Sequence, residues 1–320
     1  MEVSCFPATS KGTHSLFPSS SELLKGVRIS PWHQAYVSVA LTSKRKQPLL
    51  YAVTSNFQNK GTLKVASHLF QVSCSRKNEA SLLEARSMDE VYDSLADRLL
   101  PTAAVTANPN FKYIVGLAGP PGAGKSTVAH EVVQRINKLW PQKSPSMDEQ
   151  VGSPDIATVL PMDGFHLYRS QLDAMEDPKE AHARRGAPWT FDPARLLKCL
   201  QSLRSQGSVC APSFDHGVGD PVEDDIFVSL QHKVVIVEGN YLLLDEGVWS
   251  DISSVFDEKW FIDVDLDSSM QRVLKRHMSK SGRSLDEAKW RIEYNDRPNA
   301  EMIMKSKKNA DLVIRSIETS

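Results

Sequence analysis

Residues Gly119 to Ser126 read GPPGAGKS, directly after the apolar run in NFKYIVGLA, and no other feature constrains the fold of this chain as strongly. The segment matches G-x-x-x-x-G-K-[ST], a loop between strand and helix that wraps backbone N–H groups around phosphate. Gly119, Gly122 and Gly124 let the chain curl so that successive amides face one anion. Lys125 adds a compact positive charge, and the Ser126 hydroxyl is a hard oxygen donor suited to Mg²⁺. The segment STVAHEVVQRIN that follows has helical periodicity, so its positive N-terminal end faces the same phosphates. A chance Gly/Pro turn would not require strand, loop, Lys-Ser and amphipathic helix in this order. The expected ligand is a nucleoside triphosphate. Its contacts would be Gly119, Pro120, Pro121, Gly122, Ala123, Gly124, Lys125, Ser126 and Thr127.

Charge divides the chain in two. Of 38 Lys and Arg, ten lie in the first 77 residues, together with only two of the 39 acidic residues. The remainder carries 28 basic against 37 acidic groups. A basic, acid-poor, hydroxyl-rich start is the composition of an organelle transit segment. Its scarce Arg and abundant Ser, including Ser19 to Ser21, point to a chloroplast, with mitochondrion or cytoplasm as the alternatives. The expected division is a leader at 1–77 and one nucleotide-binding domain at 78–320. The positive charges of the leader are spread out rather than blocked, which argues against a nucleic-acid-binding arm. No apolar run approaches the ~18 residues of a membrane span. The four cysteines, Cys5, Cys74, Cys199 and Cys210, lack C-x-x-C spacing, so neither a disulfide framework nor a zinc site is expected.

Periodicity predicts a helix over 78–100 through Leu83, Met88, Val91, Leu95 and Leu99, ended by Pro101. Strands are expected at Tyr113–Leu117, Ala157–Leu160, Val234–Val237, Trp260–Val264 and Leu312–Ile314, and a strand or extended loop at Val209–Phe214. Helices are expected at Pro193–Leu203, at SSMQRVLKRHM and through Trp290, with a polar connector at 138–155. Strands alternating with helices give a mostly parallel, doubly wound sheet in a three-layer α/β/α fold.

In such a sheet ligands sit beyond the carboxyl ends of the strands. Asp163 follows one strand directly, where it could take the proton of an attacking hydroxyl; the alternative is an Asx-turn with Gly164. Glu238 ends the run VVIVE as an acid able to hold Mg²⁺ would, or it caps a turn. The segment from Gln271 to Pro298 is basic. Arg276 and Arg283 are its candidates for stabilising charge on a moving phosphoryl group, and Ser-Lys-Ser-Gly-Arg within it suggests a lid. Between these acids lie His166, Arg185, Asp192, Phe214, Asp215 and His216, a set suited to a polar, hydroxylated small molecule. No oligomeric state can be read from the sequence.

GPPGAGKST, PMDGFH, RRGAPWTFD, PSFDH, VVIVEGNYLLL and NDRPNAEMI together resemble the uridine kinase/phosphoribulokinase/pantothenate kinase family of P-loop kinases, over roughly residues 85–316. The closest likeness is to a nucleoside- or sugar-kinase-like branch. The resemblance implies transfer of a phosphoryl group from ATP to an alcohol, Asp163 as catalytic base, Asp192 on substrate hydroxyls, and an Arg-rich helix with Arg272 and Arg276 flanking a helical lid. The chain has Asp163-Gly164-Phe165-His166 where uridine kinases have D-x-F-Y, and Phe214-Asp215-His216 in place of their Tyr-Asp element. The acceptor therefore stays open among nucleosides, pantothenate-like alcohols, sugars and sugar phosphates. A guanine-reading N-K-x-D is absent, which removes a GTPase switch, and the intact Lys125, Ser126, Asp163 and Glu238 argue against a catalytically idle NTP-binding protein.

Overall fold

Alternate residues of the central strands are buried on opposite faces of one sheet, as continuous apolar runs require. In the computed structural model, which describes residues 80–103, 110–143 and 155–317, the chain begins with β1 (Ser81–Leu83) and α1 (Met88–Ala103). β2 (Tyr113–Ala118) runs into the phosphate loop, then α2 (Lys125–Lys143) and β3 (Ala157–Pro161) follow. Two short helices, α3 (Arg169–Asp173) and α4 (Pro178–Ala183), precede α5 (Pro193–Gln206). A hairpin of β4 (Val209–Asp215) and β5 (Asp220–Val228) leads to β6 (Val234–Gly239), α6 (Gly247–Val255) and β7 (Glu258–Asp263). The chain closes with α7 (Leu266–Ser281), α8 (Leu285–Arg291), α9 (Arg297–Lys305) and β8 (Leu312–Arg315).

Six strands form one sheet in the order β1–β8–β7–β2–β6–β3, and every neighbouring pair is parallel. Val115, Leu117, Val234, Ile236, Trp260 and Ile262 face α1 and α2 on one side. Ile114, Ala118, Val235, Val237 and Phe261 face α5 and α6 on the other. This is the expected three-layer α/β/α arrangement, with the antiparallel β4–β5 hairpin outside the main sheet. Register places Leu117 of β2 and Pro161 of β3 both opposite Glu238 of β6. The carboxyl ends of three adjacent strands are therefore level, and the loops that leave them share one edge.

Several expectations change. Ser81–Leu83 is a strand paired with β8, so the helix expected from residue 78 begins only at Met88, where the Ser87 hydroxyl accepts from the Glu90 amide. Pro101 does not end that helix, because a proline near a helix end forfeits a single backbone bond. α2 continues to Lys143, into the expected connector. The basic stretch expected as a lid holds a break of three residues, 282–284, between two helices. Gly282 (φ 62°) caps α7, and Ser284 and Glu287 form a reciprocal capping box that starts α8. Residues 1–77, read as a leader, lie outside the described residues. Among the described residues no helix is long and apolar enough to cross a membrane.

Candidate functional site

The loop 119–124 leaves β2 and enters α2, with Gly124 at φ 90°, a conformation that favours glycine. A Cβ built on Gly124 would meet nothing within 4 Å, so the loop presents backbone to open space. Lys125 Nζ donates to the carbonyls of Gly119 (2.9 Å) and Pro120 (3.1 Å), folded back across the loop. Burial holds its pKa down at about 8, against the pull of the Glu238 and Asp163 carboxylates, while Arg276 lowers it further. Ser126 Oγ donates to Glu238 Oε1 at 3.0 Å. Burial, and then the Asp163 charge, push the Glu238 pKa up, with Lys125 and Ser126 opposing.

Asp163 sits in a short 3-10 turn, Met162–Phe165, that follows β3 without a linker. The turn is held against the hairpin by close packing. A Cβ on Gly164 would lie 1.9 Å from the Pro212 carbonyl oxygen, so only glycine fits there. The Asp163 carbonyl oxygen accepts from the His166 amide (3.2 Å) and lies 2.8 Å from His166 Nδ1. A carbonyl can only accept, so Nδ1 carries the proton and the neutral ring keeps an acceptor at Nε2. Burial lowers the His166 pKa and favours that neutral form. The ring is packed between Phe191 (3.9 Å) and Phe214 (4.6 Å).

One cavity of about 940 Å³ joins these parts. The phosphate loop, Lys125 and Ser126 line it together with Asp163 and Glu238. His166, Arg185, Phe214 and His216 line it too, as do Arg276 of α7 and Arg283 of the turn after it. Arg185 Nη2 donates to the Leu167 carbonyl (2.8 Å) and Asp220 (3.2 Å), and its guanidinium lies 5.7 Å from the Phe214 ring centre. Arg272 also reaches the loop, donating to the Gly122 carbonyl at 3.3 Å. A smaller cavity of about 450 Å³ adjoins Gly124 and Thr127 and is walled by Tyr92 of α1 and Ile317.

Five candidates are not among the residues lining the large cavity: Gly119, Pro120 and Ala123 of the loop, and Asp192 and Asp215. Asp192 accepts from the Arg195 amide (2.9 Å) as the N-cap of α5, and Asp215 accepts from the amides of Gly217 (2.7 Å) and Val218 (3.2 Å) in the β4–β5 turn. One oxygen of each carboxylate accepts from local backbone. Asp192→Ala is therefore expected to cost about 1 kcal/mol of stability, read by denaturant unfolding, and to leave nucleotide affinity unchanged. Arg184 likewise turns away, donating to the Tyr294 carbonyl (2.6 Å). Sequence reasoning missed Asn295, Asp296 and Asn299, which line the cavity and are buried. Their signal was three polar residues clustered on the apolar face of a helical stretch.

Mg²⁺ fits the donor set at Ser126 and Glu238, two oxygen ligands 3.0 Å apart beside the open loop. Among the described residues no group of three His, Cys, Asp or Glu could hold a metal ion alone. One or two protein oxygens completed by substrate phosphates is the usual magnesium arrangement.

Residues 114–320 match the model of the Phosphoribulokinase / Uridine kinase family. The chain belongs to that family. It is similar to the Schizosaccharomyces pombe protein "Putative uridine kinase C227.14", 35% identical over 237 residues that span 73% of this chain and 92% of that one. The Kluyveromyces lactis ATP-dependent kinase YFH7 is 28% identical, over 71% of this chain and 98% of the relative. The crystal structure of Saccharomyces cerevisiae YFH7 superposes with a TM-score of 0.61 at 24% identity, covering 71% of this chain and 99% of that one, a likeness of fold. The chain is thus a P-loop kinase by family, and the matched segment starts within β2, after β1 and α1.

Proposed function

We propose that this kinase moves the γ-phosphoryl group of ATP to a hydroxyl of a polar small molecule. The observation that carries the reading is one cavity lined by the phosphate loop, by Asp163 and by the arginines Arg276 and Arg283. The loop amides and Lys125 hold the phosphates, with Ser126 and Glu238 as the ligands that would keep Mg²⁺ beside them. Mg²⁺ supplies charge neutralisation on the phosphate oxygens when bound. Asp163 takes the acceptor proton as the hydroxyl oxygen attacks, and Arg276 and Arg283 offset charge on the group in flight. His166 Nε2 accepts a hydrogen bond from an acceptor hydroxyl, while Phe214, His216 and Arg185 form the surrounding wall. The smaller cavity beside Thr127 takes the nucleotide base. The name of one relative contains uridine, and a nucleoside is one acceptor class that suits this wall; pantothenate-like alcohols and sugars are the others.

The test is a panel of nucleosides, pantothenate-like alcohols, sugars and sugar phosphates incubated with ATP, Mg²⁺ and the purified chain. Mass spectrometry should find one class converted to its phosphate ester. Nucleotide turnover without any ester product across the panel would contradict the reading.

A further inference from the structure

Between the lid arginines and the acceptor end, the cavity wall carries polar side chains for which the proposed chemistry has no use. They sit on a π-helical stretch, Ile292–Asp296, and the first turn of α9. Such a stretch inserts a residue into helical winding and turns side chains toward a site that regular winding would not reach. Asn295, Asp296 and Asn299 are 1%, 9% and 2% exposed.

Their polar atoms are committed to one another and to three neighbours, one of them Arg184, whose Nη2 donates to Asn299 Oδ1 at 3.5 Å. His277 Nε2 lies 2.7 Å from Asp296 Oδ2. Asn295 Nδ2 donates to Asp296 Oδ1 and to the Arg185 carbonyl, both at 3.2 Å, and Asn295 Oδ1 accepts from Asn299 Nδ2 at 3.0 Å. Arg291 Nη2 donates to the same Arg185 carbonyl at 2.9 Å. With a carboxylate at its Nε2, neutral His277 carries its proton there and presents Nδ1 as an acceptor. Arg283 Nη1 stands 3.5 Å from that Nδ1, at the outer limit of a hydrogen bond. The contacts run from Arg283 through His277, Asp296 and Asn295 to the backbone of Arg185.

We infer that His277, Asp296 and Asn295 are positioning residues that tie Arg283 to the Arg185 backbone, so that filling the phosphate loop also orders the acceptor pocket. The inference rests on the kinase reading above. A direct role on substrate is disfavoured because both Asp296 oxygens and both polar atoms of Asn295 already have protein partners. A purely structural role is disfavoured by cost. A buried polar network is harder to satisfy than an apolar wall, and this one bridges the two ends of the cavity.

Hydrogen exchange of the full chain tests this, with Mg²⁺ and a non-hydrolysable ATP analogue as probe. In the native chain the analogue should slow exchange in peptides covering 119–127, and in those covering 184–190 by at least about fivefold, the low end of coupling between sites. Asn295→Ala should keep the first effect and lose the second. Truncating a buried amide has its own stability cost, so His277→Lys provides the second variant. It retains a donor toward Asp296, has no acceptor to offer Arg283, and should show the same selective loss. Protection of 184–190 that persists in both variants, or that never arises in the native chain while 119–127 is protected, overturns the relay. Absence of protection at 119–127 itself overturns the nucleotide-binding reading, and the relay with it.

Discussion

Asp163→Asn is expected to lower phosphoryl transfer by about 10²- to 10⁴-fold, the range in which a positioned proton acceptor contributes. Asparagine keeps the size of the side chain and removes its charge and its basicity. The turn that carries residue 163 is held by backbone, through Gly164 against Pro212 and the Asp163 carbonyl with His166, so the variant should retain its local geometry. The phosphate loop belongs to a different strand end, and its amides and Lys125 are untouched. Nucleotide affinity measured by calorimetry should therefore change little while turnover collapses. A variant with full turnover would remove Asp163 from the chemistry.

Lys125→Ala should act on binding and rate together. The half-buried Lys125 donates to the loop carbonyls and lies within the field of Asp163 and Glu238. Without it, two carboxylates face incoming phosphates with the loop's own lysine gone, and affinity for a triphosphate should fall by at least about 100-fold, two charge-assisted contacts' worth. The same lysine gives a pH signature. Its pKa in the free protein is held down at about 8, and phosphates favour the charged form, so the bound pKa is higher. Below pH 8 Lys125 is charged in both states and affinity is at its full value. As pH rises through 8 the free protein loses the proton, binding must recover it, and affinity should fall by about tenfold per unit. Calorimetry in buffers of different ionisation enthalpy would read the proton uptake directly, and Lys125→Ala should lack it. A pH-independent affinity in the native chain from 7 to 9.5 would contradict the assignment.

The two ends of the site were unequally legible. Nucleotide binding is written in contiguous residues, because one loop supplies nearly every contact and its glycines and Lys-Ser have fixed spacing. Asp163 and Glu238 were legible because apolar runs end on them, and parallel strands must deliver their carboxyl ends to a common edge. The acceptor end was only partly legible. His166, Phe214, His216 and Arg185 do meet in the cavity, but Asp192 and Asp215 are spent on a helix cap and a turn. A carboxylate next to a proline, or two residues from a glycine, reads alike in either use. β5 was not recognised because DPVEDDIFV alternates weakly and buries few side chains, and β1 because three residues carry no period. The π-helical stretch lay beyond pattern reasoning. Its effect is to rotate Asn295 and Asp296 into the cavity wall, and no residue type announces that rotation.

The fate of the γ-phosphoryl group, followed in parallel for the native chain and Asp163→Asn, bears most directly on the joining of a phosphate loop and a proton acceptor into one transfer site. With ATP, Mg²⁺ and the acceptor panel, the native chain should release ADP in step with a phosphate ester of one acceptor class, and Asp163→Asn should bind nucleotide yet form no ester. Release of inorganic phosphate at equal rates from both proteins, with or without acceptor, would show that the two halves do not act as one site.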